Sequence, residues 1–176
     1  FVCICLHLSA FCLLLFMETT EKHEKFLSEK LPLYLNELKT TSAPLWGKMD
    51  VQQMLEHLCL PFLIATGKMS VQLTSPEDKT PVLKRILMSD KPLPKLFHNP
   101  ILPETPMPAA GANLEESKKA LKESVAFFLD YYKKNPNGTA LHNIYGELNY
   151  QEWLVMNIKH VRHHFAQFAV EIDATL

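Results

Sequence analysis

Read as apolar and polar positions, the chain shows four long stretches of helical period. In the first, about Thr20–Leu38, Phe26, Leu27, Leu31, Tyr34 and Leu38 recur at helical spacing, and Pro32 is expected to kink it. The second runs from about Asp50 to Thr66, with Asp50 and Gln53 forming a capping-box start and Gly67 as its stop. The third, about Asn113–Tyr132, opens on Asn113 and Glu116 and carries Leu114, Leu121, Val125, Phe128 and Tyr132 on one face. The turn NPNG at 135–138 ends it. The fourth is expected over Asn149–Ile172. Asn149 and Glu152 cap it, and Leu154, Ile158, Val161, Phe165, Phe168 and Ile172 alternate by fours and threes.

Between the second and third stretches lies a long connection, residues 68–112, which holds eight of the twelve prolines. A short helix over Val82–Met88 is expected inside it. Connections this long are commonly functional lids or disordered. No alternating strand pattern stands out. The expected architecture is therefore all-α: a four-helix bundle with one long Pro-rich crossover.

Length and charge narrow the picture. The 176 residues, 47% apolar, suit a single domain with a sizeable core. Eighteen basic and nineteen acidic residues leave a net charge of -1 with no basic block, which argues against nucleic-acid binding. Residues 1–16, FVCICLHLSAFCLLLF, carry no charge and are short for a membrane span. They lack the basic start and small-residue cleavage site of an export signal. Met17 is the expected start of a single domain, 17–176, with 1–16 an apolar extension outside the fold; an export signal is the alternative. Three of the four cysteines fall in that extension, so Cys59 stands alone and no disulfide framework can be built. A reducing, cytoplasmic setting without membrane attachment is the expectation. Cys59 in an apolar helix is read as packing rather than as a nucleophile.

The candidate chemistry lies in IKHVRHHFAQF, 158–168. His160 and His164 are four apart, one above the other on a helix, so their imidazoles can share a metal ion. With eight histidines in the chain, chance supplies about 0.4 such pairs, and the spacing alone decides nothing. The helical wheel adds to it. Counting about 100° per residue from the apolar stripe, His160 and His164 flank the core beside Trp153 and near Gln167. His163 falls toward the charged side with Lys159, Arg162 and Glu152, and is set aside. A third ligand is expected from His57, whose wheel neighbours Met54, Pro61 and Ile64 are apolar. Pro61 removes the usual hydrogen bond to the His57 carbonyl, so a kink or wider turn is expected there. His142 is read as pocket-lining or structural, and His7, His23 and His98 have no supporting context. Gln167 or Asn157 is placed to orient a ligand from behind.

The segments WGKMDVQQMLEHL at 46–58 and HNIYGELNYQEWLVMNIKHVRHHFAQF at 142–168 resemble the DinB-like superfamily of damage-inducible proteins, and most closely a branch without an assigned reaction. His57, His160 and His164 fall on its ligand positions, and Gln167 matches its trailing Gln. The resemblance runs from about Thr20 to the C-terminus, with 68–112 matching poorly and Asn143 standing where relatives often have Pro. It implies an up-down-down-up bundle, often dimeric, with a three-His metal site. Imidazole ligands suit a divalent metal, zinc or nickel expected before iron or manganese. Some relatives are S-transferases or isomerases that use small thiols such as bacillithiol or mycothiol. The implied function is a metal-dependent thiol S-transferase acting on an electrophile. The alternative is a non-catalytic, stress-associated metal-binding bundle. An enzyme should have a pocket opening onto the metal, whereas a non-catalytic bundle should cover it.

Overall fold

The computed structural model describes residues 18–97 and 99–173. The apolar extension, Met17 and the histidines His7 and His98 lie outside the described residues. Five helical elements and one two-stranded sheet are present among those described.

Helix α1 is the continuous run 18–37. It changes pitch along its length, passing through a π-turn at Phe26–Lys30, an α-turn at Leu31–Tyr34 and a 3₁₀ turn at Leu35–Glu37. Pro32 explains the widening. It has no N–H to give the Ser28 carbonyl, and its ring crowds that turn. The expected kink is thus taken up as a wide turn, and Phe26, Leu27, Leu31, Leu35 and Leu38 still face the core.

Helix α2, Val51–Ala65, starts at a complete capping box: Asp50 accepts from the Gln53 amide, and the Gln53 side chain accepts from the Asp50 amide. It remains α-helical across Pro61, so the wider turn expected at His57 does not form. Only one turn follows Pro61. The chain then reverses through Gly67, at φ 71°, with Gly67 and Lys68 donating to the Ile64 and Leu63 carbonyls. The helix end absorbs what a mid-helix proline would have to force open.

Helix α3, Thr80–Leu87, follows a 3₁₀ turn at Glu77–Lys79 and is the short helix expected in the crossover. Helix α4 is Leu114–Lys134. Asn113 caps it by accepting from the Glu116 amide, whereas the Glu116 carboxylate reaches the Ala112 amide, one residue short of a full box. A hairpin follows, β1 Thr139–His142 and β2 Gly146–Asn149, antiparallel with His142 opposite Gly146. The hairpin corrects the all-helical expectation. Helix α5, Tyr150–Gln167, begins at the predicted Asn149/Glu152 capping box. It ends five residues earlier than its apolar stripe suggested. Ala169 adopts φ 59°, and Ala169 and Val170 donate to the Ala166 and Phe165 carbonyls, a Schellman stop made without glycine.

The core is one cluster drawn mainly from α1, α2, α4 and α5, with Leu87 of α3 and Leu148 of β2 joining it. Helix α2 lies along α4, where Phe62 meets Phe128 edge-on at 5.4 Å and the Tyr132 hydroxyl donates to the Ala65 carbonyl. Stacked Tyr132 and Tyr150 and a 2.6 Å bond from the Tyr150 hydroxyl to Glu24 tie α4, α5 and α1 together. The chain is therefore mostly helical, with a small sheet that sets the start of α5. No helix among the described residues is long and apolar enough to cross a membrane.

Candidate metal centre

His57 on α2 and His160 and His164 on α5 converge on one point. The Nε2 of His160 lies 3.0 Å from the Nε2 of His57 and 3.0 Å from that of His164. The three rings stand at steep angles, with centroids 4.6–4.8 Å apart. Two helices thus deliver three nitrogens to one place, as the wheel positions required.

Gln167 fixes what His164 offers. The Gln167 Nε2 donates to the Trp46 carbonyl at 2.5 Å, which leaves its Oε1 as the acceptor toward His164. The Nδ1–H of His164 donates to that Oε1 at 2.8 Å. His164 therefore carries its proton on Nδ1 and presents a bare lone pair at Nε2. The Trp46–Gly47 turn makes this possible. Gly47 sits at φ 80°, and a Cβ there would come within 2.5 Å of Gln167 Nε2. The Leu45 amide completes the clamp by donating to the Gln167 carbonyl.

That tautomer restricts the rest. With His164 Nε2 bare, a proton on His160 Nε2 can serve one of its two neighbours well, and without one, two lone pairs face each other. No set of neutral tautomers gives all three close nitrogens a good partner, and a cation satisfies all of them at once. A second proton is resisted as well. Burial pulls the pKa of His57 down to about 4 and that of His164 down to about 3, and the charge of His163 and of His57, respectively, adds to the effect. His160 is pushed well down by the same burial and by its histidine neighbours. Neutral imidazoles are the form that ligates metal.

The spacing fits an ion. Nitrogens at about 2.1 Å from a metal lie about 3.0 Å apart at right angles and about 3.4 Å apart at tetrahedral angles. The observed 3.0 Å lies in that range. The donor set is uncharged and no carboxylate joins it among the described residues.

The remaining sequence candidates are elsewhere. His163 stays outside the trio. Its ring meets Trp46 edge-on at 5.9 Å. His142, in β1, packs on Tyr145 and Trp153 and accepts at Nδ1 from the Ile144 and Tyr145 amides. It braces α5 and does not ligate. His23 is buried in α1, away from the site. Cys59 is buried, its thiol is pushed up to about 11 by burial, and it donates to the Leu55 carbonyl, which is packing and not nucleophile chemistry.

The crossover, of a length common to lids and disordered segments, forms a strap pinned on both sides of the centre. On α2, Gln53 donates to Met107, Gln52 donates to Gly111, and the Glu56 carboxylate accepts from the Ala110 and Gly111 amides and from Ser117. On α5, Lys159 donates to the Ser89 and Lys91 carbonyls. Glu56 and Lys159 each adjoin a ligand in sequence. Nothing in the spacing of 68–112 signalled this. The signal was in Gln52, Gln53 and Glu56, polar residues on the α2 turn before His57. A groove of about 600 Å³ lies between α3, the hairpin and the start of α5, and none of the three histidines lines it.

Comparison with known proteins adds no family. No family model matches the chain, and no curated protein or solved structure matches it either.

Proposed function

We propose that this protein binds one divalent metal ion through His57, His160 and His164 and presents it, with coordination positions left open, to a small ligand. The carrying observation is the pair of 3.0 Å Nε2 approaches around His160, with the His164 lone pair aimed inward by Gln167. Three protein nitrogens leave an ion open to exogenous ligands. Imidazole nitrogens suit zinc, nickel and iron alike.

A divalent ion held by three neutral imidazoles keeps its full charge and lowers the pKa of a water or thiol that joins it. The chain's own contribution is to hold the three nitrogens, to fix the His164 tautomer and to keep the imidazoles unprotonated. A thiol activated in this way requires no general base. The likeness of the motifs to DinB-like proteins supports the same reading: a metal-dependent transferase of a small thiol to an electrophile, built as a four-helix bundle. A second reading, a non-catalytic metal-binding protein, is favoured by the strap and by the placement of the 600 Å³ groove away from the histidines.

One experiment separates these. Elemental analysis of natively expressed protein should find about one transition metal per chain. A panel of small thiols with electrophiles is then assayed with holo, chelated and reloaded protein. Activity that is lost with the metal and restored by it supports the transferase. Metal without activity across the panel supports the non-catalytic reading, and metal-free native protein overturns both.

A further inference from the structure

The face of α5 that carries His160 and His164 continues toward the start of the helix through Asn157 and Trp153. These two are four residues apart, so they sit on adjacent turns of one face. Trp153 is 0% exposed and Asn157 is 1% exposed. Neither the Trp153 Nε1–H nor either amide atom of Asn157 meets a protein partner. An unsatisfied buried polar group is destabilising, and an apolar side chain of Asn's size would avoid that cost. Three such atoms on two successive turns call for a shared partner. The wall beside them is settled. The His142 ring lies 5.3 Å from Trp153 with its Nδ1 committed to two backbone amides. The unpartnered groups are themselves neutral, two donor nitrogens and one acceptor oxygen, so the complementary ligand is small, uncharged and able both to accept and to donate.

We propose that Trp153 and Asn157 line an internal hydration site, in which ordered water accepts from the Trp153 indole N–H and the Asn157 amide N–H and donates to the Asn157 Oδ1. Buried water of this kind typically makes about three hydrogen bonds to groups that would otherwise be orphaned. The site lies one helical turn before His160 on the same face. Its argument is separate from the metal reading, because the orphaned atoms belong to Trp153 and Asn157 and not to the three histidines.

The test uses the full chain labelled with ¹⁵N. The two indole N–H signals are assigned with Trp153→Phe, and cross-relaxation from water to the Trp153 Nε1–H is measured. The expected result is a water cross-peak of the sign given by a long-lived bound molecule. Asn157→Leu is expected to abolish that cross-peak and to lower the thermal midpoint by at least about 3 °C. A folded wild-type protein without the cross-peak overturns the proposal, as does an Asn157→Leu protein that melts higher, because removing a truly unpartnered amide relieves a penalty. Should Asn157→Leu fail to fold, the wild-type cross-peak decides alone.

Discussion

The three-histidine centre and the groove beneath α3 differ in what their polar groups still need. The groove is roomy, about 600 Å³, and carries Lys84, Arg85, Glu147 and Glu152. Yet Lys84 already pairs with the Glu152 carboxylate at 3.2 Å and donates to the Glu147 carbonyl, and Glu152 also caps α5. The centre is tight and uncharged, but its nitrogens crowd one another and only a cation satisfies them together. Unmet bonding capacity singles out the proposed metal site here, and volume does not.

The largest effect that would break this contrast comes from the ligands. His160→Ala should reduce bound metal from about one per chain to near zero, whereas His163→Ala should leave it near one, as read by elemental analysis after dialysis. Equal loss in both would mean that convergence on His160 is not what holds the ion.

Gln167→Leu sharpens the contrast by leaving the ligands in place. Without the Oε1 acceptor, His164 is free to move its proton to Nε2 and turn its lone pair away. Losing an orienting partner of this kind typically costs 10–100-fold in affinity, roughly the drop expected in a competitive chelator titration. Gly47→Ala should act in the same direction, since its Cβ would strike Gln167.

Acidity tests the electrostatics of the apo centre. The unfolded chain takes up protons on histidine near pH 6.5, but folded His57 and His164 resist until about 4 and about 3. Between those limits the unfolded state binds more protons, so stability is full above about 6.5 and falls as pH is lowered toward 4. Each histidine contributes a slope of about 1.4 kcal/mol per pH unit in that window. Urea unfolding of apo protein at pH 7.5 and 5 reads it directly, and equal stabilities would contradict the buried, neutral trio.

The smallest effect belongs to the groove. Lys84→Met removes a partly exposed pair and should cost below about 1 kcal/mol, with metal affinity unchanged. A loss of metal would join the two regions that the structure keeps apart.

What was legible in the chain follows the same division between local and distant causes. The capping residues Asp50, Asn113 and Asn149 lie within three residues of the amides they satisfy, so their helix starts could be read directly. Gly67 announced the end of α2 because glycine adopts positive φ freely. Ala169 uses the same Schellman geometry without that signature, and the apolar run to Ile172 concealed the end of α5. The hairpin was missed because its strands are four residues each, too short for alternation to stand out, even though Gly146 sits at φ 75°. The trio was readable because the wheel places His160 and His164 beside the core and His57 on an apolar face. The strap's path was not, because it depends on bonds spanning more than fifty residues, such as Gln53 to Met107 and Glu56 to Ala110.

The central claim is that three imidazoles from two helices hold a single ion. X-ray absorption at the metal edge of protein loaded with one equivalent of nickel tests it directly. The account predicts three imidazole nitrogens at about 2.1 Å with light-atom ligands completing the shell. A spectrum showing one imidazole or none would contradict it.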